Sequence, residues 1–269
     1  MEEVNIKEIV SYFDKGFLKE ILGIDKESLN LKEIEKKLID VLNISSLKEL
    51  KKERLFVKCK RLNRGDVKIK EIILRNAWIA LAIELSRKQK CIEFNENAFK
   101  NSINLLKRYS HVRGGPLIEN LKRTLNKCGV KFIVLPYLKE SKIRGFTKYL
   151  KEEKCYLIAI NDCGKALDKF YFTLFHEISH ILISKKKTNF TINKDDEEEE
   201  EVDKLATDIL IDPDLYNRFV NRKCFNLTSI LFFARQNNVD QSIVIGRLQK
   251  DGFIPYSYFN KYKKKTYRI

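Results

Sequence analysis

The chain has 269 residues, 43% of them hydrophobic and 33% charged, and a formal net charge of +16. That balance belongs to a globular chain able to bury a sizeable core, and it excludes a disordered tail. No run approaches the roughly 18 apolar residues that a bilayer span needs. The first residues, MEEVNIKEIV, carry acids and no long apolar stretch, so a cytoplasmic protein without membrane contact is expected.

The six cysteines, Cys59, Cys91, Cys128, Cys155, Cys163 and Cys224, are scattered with no C-x-x-C pair. In a reducing compartment they read as small buried hydrophobes, neither a disulfide framework nor a thiolate metal site. The positive charge invites a nucleic-acid partner. It is carried mostly by lysine in a chain also rich in Ile and Asn, and it is uneven, because residues 195–201 are all Asp or Glu. Basicity alone therefore argues only weakly for an acidic partner.

In chain order, apolar residues recur at three-to-four spacing over 6–22, 31–42, 47–55, 69–87 and 98–109, which predicts a helical N-terminal region over 1–113. The segment IILRNAWIALAIEL is apolar nearly all round, so it is expected at the centre with Trp78 in the core. Gly114-Gly115-Pro116 marks a break, with Pro116 suited to open a helix over 117–128 that Gly129 ends. Three β-prone runs follow, 130–136, 145–150 and 155–160. The last two form a hairpin through 151–154, and together they predict a small antiparallel sheet. A helix then begins near Asp168 as its cap, runs through Phe170, Leu174, Ile178 and Ile181, and ends at Lys185-Lys186-Lys187. A second, acidic helix over about 198–211 is stopped by Asp212-Pro213, and two more are expected near 228–237 and 241–250. The fold class is thus α+β, with a C-terminal domain over 114–269.

Chemistry enters with His176-Glu177-Ile178-Ser179-His180. Residues four apart on a helix share a face, so His176 and His180 can offer two imidazole nitrogens to one tetrahedral ion, Zn2+ being the natural occupant. Glu177 stands one step round, placed to serve a water as general base without binding the metal. The chain has three histidines and two are these. A catalytic zinc needs a third protein ligand, and 195–201 offers many carboxylates. If Val202, Leu205, Ala206, Ile209 and Leu210 form the buried stripe of that helix, Glu199 lies at its upstream edge, with Glu200 and Glu201 as alternatives. Asp203, four residues on, could orient a ligand imidazole.

At these residues the chain resembles the ImmA/IrrE family of bacterial metallopeptidases. KFYFTLFHEISHIL is similar to the family's zinc helix, EEEVDKLATDILIDP to its second helix, and IVIGRLQKDGFIPY to a C-terminal stretch of a subgroup usually fused to a helix-turn-helix domain. The resemblance is strong over about 115–269 and weaker over 10–110, through SYFDKGFL and NAWIALAIEL. It implies a zincin-like fold, a catalytic zinc and peptide-bond hydrolysis, with DNA-binding repressors of phage, mobile-element or stress genes as substrates. Val202 stands where the family has Ala, and Ser179 where it has Gly. No helix-turn-helix is seen in 1–110, so the expected partner is a separate helix-turn-helix repressor. Two rival readings are a non-catalytic antitoxin or regulator, and a nucleic-acid-binding module.

Other features read as structural. Ala234, Asn238, Val239 and Val244 approach helix-turn-helix spacing, with Arg247 in the second helix, but a helix pair packed on the core accounts for them. His111 reads as a surface or hinge residue. Lys261 to Lys265, with Tyr258, Phe259, Tyr262 and Tyr267, read as a solvated tail.

Overall fold

The computed structural model describes residues 5–25, 27–52, 68–112, 116–184 and 195–263. Three helices come first: α1 (Ile6–Tyr12), α2 (Leu31–Leu42) and α3 (Ile69–Arg87). Next are α4 (Glu96–Arg108) and α5 (Pro116–Asn126), then strands β1 (Val130–Leu135), β2 (Gly145–Leu150) and β3 (Cys155–Asn161). The chain continues through α6 (Leu167–Ser184), α7 (Asp195–Leu210), α8 (Pro213–Asn221), α9 (Leu227–Gln236) and α10 (Gln241–Lys250).

The expected helix over 6–22 is broken. α1 stops at Tyr12, and the Asp14 carboxylate accepts the Phe17 N–H at 2.8 Å, starting a new π-helical turn, Phe17–Ile21. The acid competes successfully for a backbone donor that a continuous helix would use internally. The turn Leu47–Lys51 is 3-10 in form, and the rest of the expected 47–55 helix lies outside the described residues. So do Gly114-Gly115 and Lys185-Lys186-Lys187, whereas Pro116 does open α5. The helix at 213–221 was not anticipated. Asp212-Pro213 stops α7 as expected, and Pro213 also occupies the first turn of α8 behind an Asp212 cap whose Oδ1 accepts the Leu215 N–H at 2.9 Å.

The sheet also corrects the expectation. It is mixed: its order is β1-β3-β2, with β1 parallel and β2 antiparallel to β3. The hairpin of 145–160 forms as read, but β3 inserts between β1 and β2. Residues 136–144 cross the gap, roughly two strand spacings or about 10 Å wide. That crossing is pinned at Trp78, whose indole donates to Pro136 O at 3.1 Å, and at Asn161, whose amide donates to Ile143 O at 2.5 Å.

Each face of the sheet is covered by helices. Ile133, Leu135, Phe146, Leu157 and Ala159 share a core with α1, α2 and α3, in which Trp78 is fully buried as expected. Phe132, Tyr156, Ile158 and Ile160 share the other core with α4 to α10. α6 lies in that second layer, against β2, β3, α7 and α10. Asp168 is inside the first turn of α6 and is no cap; its carboxylate meets Lys263 at 2.6 Å. No helix among the described residues is long and apolar enough to cross a membrane.

α10 buries Ile243, Val244, Ile245 and Leu248 and packs on α6. Gly246 lets it come close, because a Cβ there would sit 2.6 Å from Asp168 Oδ2. A helix held this way belongs to the core, as the helix-pair reading of 227–250 expected. The tail reading is corrected in part. Lys263 is tied to Asp168 and Gln249, and Phe259 and Tyr262 pack against the core, while Tyr258 is exposed and Lys264, Lys265 and Tyr267 lie outside the described residues.

Candidate metal centre

α6 is helical and buried because Leu167, Phe170, Tyr171, Leu174, Phe175, Ile178 and Ile181 fill the core around it. This carries His176 and Glu177 inside, at 0% and 1% exposure, and leaves the His180 side chain 22% exposed at the mouth. α7 packs on α6 through Val202, Ala206 and Leu210, all buried, with Leu205 and Ile209 only half-buried. That phase turns Glu199 and Asp203 toward the histidines.

Three ligand-type atoms converge. The Nε2 atoms of His176 and His180 stand 3.1 Å apart, and the Glu199 carboxylate reaches them at 3.3 and 3.4 Å. An ion held tetrahedrally by bonds of about 2.0–2.1 Å separates its ligand atoms by about 3.3–3.4 Å along each edge. The three contacts are close to that length, the two from Glu199 being made by different oxygens, Oε2 to His176 and Oε1 to His180. Among the described residues, this is the one group of three or more His, Cys, Asp or Glu side chains gathered closely enough to hold a metal ion. Glu200 and Glu201 are exposed and stand outside it, and so does His111.

Asp203 decides the tautomer of the inner histidine. Its Oδ1 lies 2.6 Å from His176 Nδ1, closer than Glu199 Oε2 lies to Nε2 at 3.3 Å, which favours the tautomer whose Nδ1–H donates to the Asp203 carboxylate. Nε2 is left with its lone pair directed at the triangle, the form in which imidazole binds a metal. Glu199 and Asp203, one turn apart on α7, thus meet the two sides of one buried ring.

Glu177 points elsewhere, as a residue one step round the helix must. It meets β2, where the Thr147 hydroxyl lies 2.8 Å from Glu177 Oε2 and 3.0 Å from Glu177 O. A Cβ on Gly145 would come within 2.9 Å of both Glu177 Oε1 and Ala159 O. The carboxylate therefore sits in a slot shaped by the missing side chain of Gly145 and bounded by Thr147. Sequence reading missed both residues. They stand some thirty positions from Glu177, and only the packing of β2 on α6 joins them.

β2, which meets Glu177, is an edge strand of the sheet. Asn161 N donates to Arg144 O at 2.8 Å, so residues 144 and 161 form a hydrogen-bonded pair. Alternation in an antiparallel ladder then directs the backbone groups of Phe146 and Lys148 toward β3, and those of Gly145, Thr147 and Tyr149 toward the outside. No strand pairs with that outer side among the described residues. The opposite edge is different, because the Gln89 side chain bonds both Phe132 O at 3.0 Å and Phe132 N at 3.3 Å, much as a neighbouring strand would.

The cysteines divide. Cys128 and Cys155 are buried as expected, Cys91 is half-buried, and Cys224 is exposed, against expectation, beside the cap of α9. Cys59 and the Cys163 side chain lie outside the described residues. Comparison with protein-family models finds none that matches this chain, and comparison with curated proteins finds no match either.

Proposed function

We propose that the chain is a zinc-dependent endopeptidase with a zincin-like site, of the ImmA/IrrE type that its motifs resemble. The observation that carries this reading is the joint presence of a three-ligand triangle, His176, His180 and Glu199, and a separate buried carboxylate, Glu177, which directly follows His176 on the same helix. A structural metal site has no use for that carboxylate, whereas hydrolysis needs a proton acceptor beside the ion. Zinc, when bound by His176, His180 and Glu199, supplies Lewis acidity toward a carbonyl oxygen and a water.

The protein's own residues do the rest. Asp203 holds the proton on His176 Nδ1. Glu177 accepts a proton at its carboxylate from the attacking water and passes it to the departing amine. The open edge at Gly145, Thr147 and Tyr149 offers main-chain groups to an extended peptide, which binds as an added strand. The proposed substrate is a separate helix-turn-helix repressor, cut in trans. Zinc analysis tests the foundation: the purified chain should carry about one zinc, and His176→Ala and His180→Ala should each lose it while His111→Ala does not. Full zinc in the double variant lacking both site histidines would remove the assignment.

A further inference from the structure

We propose that Thr147 is a positioning residue for Glu177, holding that carboxylate in the one orientation from which it can serve the reaction. The proposal rests on the hydrolase reading above and adds to it a residue that no motif contains. Three observations support it. Thr147 Oγ1 lies 2.8 Å from Glu177 Oε2 and 3.0 Å from Glu177 O, so one hydroxyl spans the side chain and the backbone of the same residue. Glu177 is 1% exposed, which leaves little solvent to orient it. Gly145 supplies the space in which Oε1 sits, since a Cβ there would approach that atom to 2.9 Å.

The arrangement has a chemical logic. A glutamate has three rotatable bonds and, unlike the two ligand imidazoles, would not be fixed by the metal. A base must sit within hydrogen-bond reach of the proton it takes, and a displacement of about 1 Å can cost about 100-fold in rate. A hydroxyl hydrogen bond to a carboxylate is among the stronger polar contacts available, and here it comes from a strand rather than a loop. Thr147 also presents its backbone to the open edge of β2. One residue therefore touches both the proposed base and the track along which the peptide would lie.

The test uses the full chain loaded with zinc and the most rapidly cleaved member of a mixed-sequence set of internally quenched peptides. Thr147→Val keeps the shape and removes the hydroxyl. It is expected to lower kcat about 10- to 100-fold, with KM and zinc content unchanged, and Thr147→Ser should restore most of the loss. Crystal structures should show the Glu177 carboxylate in its parental position in the Ser variant and displaced from it in the Val variant. Turnover at the parental rate by Thr147→Val, with Glu177→Gln inactive, would overturn the positioning role and leave the hydrolase reading standing. Loss of zinc in Thr147→Val, or no rescue by Ser, would make the hydroxyl a structural feature and also overturn the proposal. Equal cleavage by the parent and Glu177→Gln, or none by either, would remove the hydrolase reading and this proposal together.

Discussion

Asp203 is the residue whose removal separates ligand from support. It touches no atom of the metal triangle, but it fixes the ring that does. Asp203→Ala should therefore weaken zinc affinity by about 10- to 100-fold without abolishing it, whereas Glu199→Ala, which removes a ligand, should cost more. Glu200→Ala and Glu201→Ala should bind zinc normally. Competition titration against a chelator of known affinity measures all four, and normal binding by Glu199→Ala with loss in Glu201→Ala would reverse the assignment. Cysteine reactivity is a second check at this scale. Burial pushes the Cys91 thiol up to about 12, with Cys155 beside it adding to the effect. At pH 8 it therefore stays protonated, and the thiolate is the reactive form. Iodoacetamide followed by peptide mapping should label exposed Cys224 well before Cys91, and the reverse order would contradict the described burial. The gathering of His176, His180 and Glu199 is legible in the sequence, because a helix converts spacing directly into a shared face. The Ser179 hydroxyl is absorbed where it stands, donating to Phe175 O one turn back at 2.8 Å.

Among the elements, β2 makes the sharpest prediction, because its residues alternate in what their backbone does. Tyr149 turns its N–H to the open edge, and Lys148 turns its own toward β3. Proline lacks that donor. Tyr149→Pro should keep the fold and zinc while cleavage falls, and Lys148→Pro should lower thermal stability by breaking the ladder. Circular dichroism melting with a peptide assay distinguishes them, and full cleavage by Tyr149→Pro would argue against strand addition at this edge. Elements bounded by clear local signals are readable from sequence: α2, α3, α10 and β2 have the ends that their patterns imply. The order of the sheet is not. Local pattern shows that 145–160 is a hairpin, but the position of β1 depends on where the crossing at 136–144 leads, and that is set by Trp78 and Asn161 from distant parts of the chain. α8 was missed for a different reason, since Asp-Pro is read equally well as the end of one helix or the cap of the next.

At the scale of the whole molecule, the N-terminal helices are part of the architecture that holds the site. They cover Ile133, Leu135, Phe146, Leu157 and Ala159, the face of the sheet turned away from α6. A chain lacking residues 1–87 would expose that face, and it should aggregate or bind a hydrophobic dye strongly. A soluble, zinc-loaded truncation with parental stability would contradict the shared sheet. A role for this region in docking a repressor is thus better tested by charge reversals on its exposed lysines, such as Lys32 or Lys36 of α2. The central claim is that this molecule hydrolyses a protein with Glu177 as its base. Its most direct test is to incubate the zinc-loaded chain with a helix-turn-helix repressor, the proposed substrate, taken from the same genome, and to follow the repressor by mass spectrometry. The parent should yield one defined pair of fragments, and Glu177→Gln, with the same zinc content, should yield none. Fragments from both proteins in equal amount, or an intact repressor with the parent, would contradict the account.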